Sequence, residues 1–244
     1  MAFPDSATLR DDFNRANETP LTAAQWSRTD GTTGGLGVQT NQCYPGTTNY
    51  VFMHHNVATF GPDVEVWFDV PLRGTAITGD YTPIVMARLA GVGSATTWDG
   101  YFIRFLTGST PPRAEIIRMD NGTGTQLGAN ITITTADGDA VGLSVVGSTI
   151  EGWHKPSAGA WTSLGARTDA TYTAAGYVGL YGTGDSTTWR IDNFNAGTVG
   201  ATATPMRSLM GVGLGVRLIA ASQLRESLSR RKLFKLVGAL LYRK

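Results

Sequence analysis

The chain holds a single cysteine, Cys43, among its 244 residues. One thiol cannot close an internal disulfide, which excludes a stapled secreted scaffold. No histidine stands near it in a nucleophile pattern, so Cys43 reads as a small buried or loop residue. Charged residues make up only 16%, against about 25% in ordinary domains. That scarcity excludes coiled coils and charged helical bundles for the bulk of the chain. No run of about 18 apolar residues occurs, so no helical membrane span is expected. The start, Met1-Ala2-Phe3-Pro4-Asp5, has neither a basic region nor an apolar core, and no signal peptide is expected. The glycines keep no period of three, which excludes collagen. A hydrophobic share of 41% with a net charge of +1 excludes general disorder.

What the chain does have is 31 glycines and 33 threonines. Gly/Thr-rich sequence with aromatics and few charges predicts an all-β domain of short strands and turns. The near-neutral total hides two unlike parts. Residues 1–204 carry 11 Lys+Arg against 18 Asp+Glu, a net of −7, and residues 205–244 carry 9 against 1, a net of +8. Lys155 is the only lysine before Lys232. The sequence therefore divides into an acidic body, 1–204, and a basic C-terminal segment, 205–244.

Along the body, Trp26 reads as a core anchor and residues 31–37 as loop. The loop precedes no helical pattern, so a phosphate-binding role is set aside. From 62 to 70 the sequence alternates. Val64, Val66, Phe68 and Val70 face one way, and Asp63, Glu65, Trp67 and Asp69 the other, as in a half-exposed strand. Further strands are predicted over 82–89, 101–106, 114–119, 131–135, 177–181 and 189–194. Asp120-Asn121-Gly122 marks a turn. Val141–Val146 and Thr149–His154 form the clearest hairpin, joined by Gly147-Ser148 in a type II′ turn. No helical period precedes residue 205. Asp12-Phe13-Asn14 echoes Asn193-Phe194-Asn195, which reads as the first and last strands lying side by side. The prediction is an antiparallel jelly-roll β-sandwich.

The ordered motifs Asp-Asp-Phe-Asn-Arg-Ala (11–16), Phe-Gly-Pro-Asp-Val-Glu-Val (60–66), Tyr-Phe-Ile-Arg (101–104), the hairpin 142–151, Gly-Tyr-Val-Gly-Leu (176–180) and Ile-Asp-Asn-Phe (191–194) carry a resemblance. Over about residues 9–198 the chain resembles the concanavalin A-like lectin/glucanase superfamily, in the laminin-G-like style common in bacteriophage virion proteins. The resemblance implies a structural, surface-displayed virion protein, with lectins, hydrolases and inert modules all on the same fold. A carbohydrate-binding or glucanase-like domain of a bacterial carbohydrate-active protein is the alternative.

Related glucanases carry Glu-x-Asp-x-(x)-Glu on one strand. Asp63, Glu65 and Asp69 share a face here, but Trp67 or Phe68 stands where the second Glu belongs. The face reads as a solvated one, and no catalytic residue is assigned. His54 and His55 point to opposite faces and cannot readily share a metal. The residues leave a Ser-His-Asp triad open, though no nucleophile elbow is present. Sugar binding needs flat aromatics beside polar side chains on exposed loops. Tyr44, Tyr50, Trp98, Asp99 and Tyr101 are the candidates, with Trp161 and Trp189 ranked behind them and Trp98 expected to be exposed in a polar turn; core or interface packing is the competing reading. No cofactor motif is present. The resemblance implies at most a structural calcium, with Asp12 and Asp192 at the matched positions and Asp11 as a spare.

The basic segment changes character twice. Val212, Leu214, Val216 and Leu218 alternate with glycines and Arg217, as in a strand able to add to a sheet edge. A linker is the other reading. Leu233, Leu236, Val237, Leu240 and Leu241, with Phe234, then form an apolar stripe on a basic amphipathic helix. Docking against another virion protein or self-association is the leading reading, ahead of a membrane surface or nucleic acid. The expected partners are therefore other virion proteins, further copies of the chain in a homo-oligomer such as a trimer, and a host surface polysaccharide, with no nucleic acid. The expected location is the virion, assembled in a host cytoplasm.

Overall fold

The structure is a computed structural model that describes residues 2–31, 35–46, 51–73, 83–182 and 189–200. The predicted strand through Val212, Leu214, Val216 and Leu218 and the predicted helix through Leu233, Phe234, Leu236, Val237, Leu240 and Leu241 lie outside the described residues. Among the described residues sixteen strands run in the order β1 (Thr8–Asp11), β2 (Trp26–Arg28), β3 (Gly37–Gln39), β4 (Gln42–Tyr44), β5 (Val51–His55), β6 (Val64–Leu72), β7 (Ile84–Ala90), β8 (Asp99–Leu106), β9 (Arg113–Asp120), β10 (Thr123–Gln126), β11 (Ile131–Thr132), β12 (Asp139–Val146), β13 (Thr149–Lys155), β14 (Thr162–Thr168), β15 (Tyr177–Gly182) and β16 (Arg190–Thr198). Among the described residues there is no helix.

The strands form two antiparallel sheets. The first has the order β14-β13-β12-β6-β16-β4-β3, with β1 also on β16; the second has the order β10-β9-β8-β7-β15-β5-β2, with β11 also on β9. The expected pairing of chain ends is present, with Leu9 opposite Asn195 and Asp11 opposite Phe194. Phe13, Trp26 and Phe194 seal this closure, with Trp26 5.1 Å from Phe194 and its indole N–H donating to Asp11 at 2.7 Å.

Period-two sequence does the sorting. On β6, Val64, Val66, Phe68 and Val70 are at most 4% exposed and face the second sheet's Val85, Ile103 and Phe105 in one core. Burying each such side chain contributes roughly 1.5–3 kcal/mol. The hairpin β12–β13 pairs Val146 with Thr149 around Gly147, whose φ of +56° suits the first position of a type II′ turn. At Asn121-Gly122 both residues have positive φ, 48° and 75°, which makes the β9–β10 connection a type I′ turn. The stretch 131–135 pairs over only two residues, Ile131 and Thr132. The strands β1 to β5 and β14 are too short, or too polar, to stand out by alternation.

Candidate functional site

The second sheet is apolar on both faces. Its inward residues join the central core. Its outward residues form a second cluster built on Ile84, Met86, Phe102, Ile117, Met119 and Tyr181, with Phe52 and Tyr177 packed against it. Register explains the assembly. Tyr181 is the cross-strand neighbour of Phe52, Phe102 of both Met86 and Ile117. The Phe52 and Tyr181 rings stack at 4.2 Å. Along this face runs an open groove of about 440 Å³, floored by Phe52, Ile84, Phe102, Ile117, Met119 and Tyr181, with Arg104, Gly124 and Gln126 at its rim.

The rim is electrostatically ordered. Glu115 accepts from Arg104 Nε at 2.7 Å and from Arg113 Nε at 2.8 Å. Burial acts to raise the Glu115 pKa, but the hydrogen bonds and charges of Arg113 and Arg104 outweigh it and pull the carboxyl below its ordinary value. The pairing fixes Arg104 beside the aromatic floor. Flat rings next to fixed donors are suited to a pyranose, whose C–H face stacks while its hydroxyls bond at the edge.

The sequence-predicted sugar contacts do not form one site. Trp98 is buried, at 2% exposure, and packs behind Phe52 at 4.8 Å. This corrects the expectation of an exposed Trp98; the turn around it is polar, but the indole folds back onto the sheet. Tyr101 is also buried. Its hydroxyl donates to Asp169 at 2.7 Å and accepts from the Tyr172 amide. Burial, with the Asp169 bond and charge behind it, pushes the Tyr101 pKa up to about 12. Asp99 accepts from the Tyr172 hydroxyl at 3.0 Å and the Asn121 amide at 2.8 Å. Asp99 and Tyr101 thus belong to a polar tie that fastens residues 169–172 onto β8 and β9. Tyr44 lies on the first sheet, bonded to Thr19 at 2.6 Å and under the Arg190 guanidinium. Tyr50 lies outside the described residues. Sequence reasoning missed Phe52 and Tyr181. Only the strand predicted over 177–181 hinted at Tyr181, and β5 carried no readable period.

The carboxylate face of β6 is solvated only in part, with Asp63 and Asp69 half-buried and Glu65 covered. Glu65 is 1% exposed and accepts the backbone amides of Asp5, Ser6 and Ala7. Asp63 accepts the Gly147 amide at 2.7 Å, and Asp69 the Asn193 side-chain amide at 2.8 Å. The N-terminal residues, far off in sequence, cover Glu65.

At the chain-end closure, burial and then the neighbouring carboxylates of Asp69, Asp12 and Asp11 raise the Asp192 pKa. Asp11 is already engaged by Trp26, Arg15 and the Phe13 amide. Asp12 and Asp192 accept the Asn14 and Asn193 amides. Calcium takes six to eight oxygens, and among the described residues no group of three or more His, Cys, Asp or Glu is placed to hold a metal. These residues do not fit the calcium site the resemblance implied.

No family model matches the chain, and no curated protein matches it. Solved structures do. A calcium- and Man2-bound VIP36 exoplasmic/lumenal domain superposes with a TM-score of 0.54 at 14% identity, over 82% of this chain and 90% of that one. A protein with a galectin-like fold from Bacillus subtilis gives 0.54 at 10% identity, over 80% and 96%. The CBM2 module of the evolved Dit of Lactobacillus casei BL23 phage J-1 gives 0.51 at 13% identity, over 78% and 95%. The fold is that of the lectins and glucanases.

Proposed function

We propose that this concanavalin A-like sandwich is a carbohydrate-binding module displayed on a bacteriophage particle, joined to it by residues 205–244. The observation that carries the binding part is the groove on the second sheet. It pairs a stacked Phe52–Tyr181 floor with the Arg104 and Gln126 rim. Its lining includes no carboxylate, Glu115 beside it is bound by Arg104 and Arg113, and the β6 carboxylates are tied to backbone amides at Asp63 and Glu65 and to the Asn193 side-chain amide at Asp69, so the reading is binding without hydrolysis. The structural likeness to a phage Dit module and the basic, apolar-striped C-terminal segment support the particle assignment. Host surface polysaccharide is the ligand this reading names, and other virion proteins or further copies are the partners of residues 205–244.

Two measurements test it. The full chain should retain purified cell-wall polysaccharide of the host on an affinity gel, and Tyr181→Ala should weaken retention at least tenfold with thermal unfolding still cooperative. Equal retention by the variant rejects the groove. A chain ending at residue 204 should stay folded but fail to join the particle. Full occupancy by the truncated chain rejects the anchoring role.

A further inference from the structure

The outer face of the first sheet carries a second aromatic site. β12 runs between β6 and β13 so that Gly142 is paired with Trp67 on one side and Trp153 on the other. The glycine leaves a bare floor between two indole walls. Trp161 stands 5.6 Å from Trp67 and completes the box. Phe3 fills it, lying parallel to Trp153 at 4.7 Å with an interplanar angle of 2°, and edge-on to Trp161 at 4.9 Å. A Cβ added at Gly142 would stand 2.5 Å from the Phe3 ring, so the floor is shaped for a ring at this position.

The occupant matches the box in shape but not in polarity. The indole N–H of Trp67 is buried without a hydrogen-bond partner, and a phenyl ring has no acceptor to offer it. An unmet buried donor is a lost interaction that a hydroxylated ring could recover. Beside Phe3 lies a cavity of about 190 Å³, lined in part by Trp153, Ser144 and Glu151. Glu65 sits in the same row, opposite Ser144. Its only described partners are donors of residues 5–7, the amides of Asp5, Ser6 and Ala7 and the Ser6 hydroxyl.

We propose that Trp67, Trp153 and Trp161 form a saccharide-binding box on the first sheet, which residues 2–7 close by inserting Phe3. A hexopyranose has nearly the footprint of the phenyl ring. It would stack on Trp153, place a hydroxyl oxygen at the Trp67 N–H, and turn other hydroxyls toward Ser144 and Glu65. The ligand is a neutral hexose oligomer, and the N-terminal segment competes with it. This site stands on the opposite sheet from the groove and does not depend on it.

The test uses the full chain and three probes, cellohexaose, laminarihexaose and mannohexaose, with binding followed by indole fluorescence and calorimetry. Phe3→Ala should bind at least one probe tenfold or more tighter than the parent, with a shift in indole emission. Adding Trp153→Ala should abolish that gain, and adding Tyr181→Ala in the groove should leave it intact. Equal binding by the parent and Phe3→Ala, or a gain that survives Trp153→Ala, overturns the proposal. If Phe3→Ala does not fold, hydrogen exchange of the parent decides. A saturating probe should speed exchange of the Asp5, Ser6 and Ala7 amides, and unchanged exchange overturns the proposal. Loss of groove binding alone leaves the box standing, so the two readings fail separately.

Discussion

Arg88 of the second sheet reaches across the sandwich to within 3.4 Å of Asp63, which immediately precedes the central strand β6 of the first. The ion pair is the lesser part of the contact. Arg88 also donates to the carbonyls of Pro62, Gly147, Tyr172 and Val145. Its side chain is 1% exposed, while that of Asp63 is 40% exposed. The cation is thus dissolved in backbone carbonyls from three connections and from β12, and burial lowers its pKa.

Arg88→Met should therefore destabilise far more than Asp63→Asn. Removing the guanidinium strands several carbonyls and should cost about 3–5 kcal/mol. Asp63→Asn keeps an acceptor for Gly147 and loses only a screened charge, about 0–1 kcal/mol. Urea unfolding of both variants checks the ordering, and equal midpoints would refute it.

Tyr172 holds two carboxylates at once. Its hydroxyl lies 3.0 Å from Asp99 and 2.7 Å from Asp120. Burial first, and then the bonds and charges of Asp120 and Asp99, raise its pKa above the ordinary tyrosine value. Tyr172→Phe should cost about 1–2 kcal/mol and lower the urea midpoint without changing the slope. No shift in midpoint would mean that water replaces the hydroxyl at no loss.

How much of this was legible in the sequence depends on range. The β6 alternation identified which side chains enter the core, because period two is a local property. The Gly147-Ser148 turn was legible for the same reason. Glu65 was misread because alternation assigns a face without saying what covers it. The cover comes from residues about 60 positions away. Trp98 was misread because a polar turn can still fold its one large side chain onto the sheet. The groove was illegible because Phe52 and Tyr181 meet only through the β5–β15 register, which no local pattern encodes.

Metal removal gives a further check. Asp12 and Asp192 accept local backbone amides, and Asp11 is bound by an indole, a guanidinium and an amide. A ligand that binds only the folded state raises the melting temperature. Chelation with EDTA should accordingly leave the thermal midpoint within about 1 °C of the untreated protein. A larger fall would mean that these carboxylates rearrange around a cation.

Acid should weaken the fold in two separate steps. His54 sits on β5 with Thr29 Oγ at 3.3 Å and the Tyr177 ring at 4.9 Å. Burial, aided by the charge of neighbouring His55, lowers its pKa from 6.5 to about 4. Burial also lowers the pKa of His55. A histidine depressed in the folded state takes its proton more readily when unfolded. Its contribution is complete above the unfolded value near 6.5 and is lost as pH falls toward 4. Discounted for residual contact with water, the loss is about 1–2 kcal/mol. Asp169 acts in a lower window. Burial opposes its ionisation, but the bonds from Tyr101, Thr171 and Arg118 hold its pKa down at about 2. That stability is present above the unfolded value of 3.8 and disappears as pH falls toward 2. Unfolding free energy measured from pH 8 to 2 should decline first between 6.5 and 4, and again below 4. His54→Gln should reduce the first decline, with the part owed to His55 remaining, and leave the second. An unchanged slope between pH 6.5 and 4 in that variant would exclude His54 as its source.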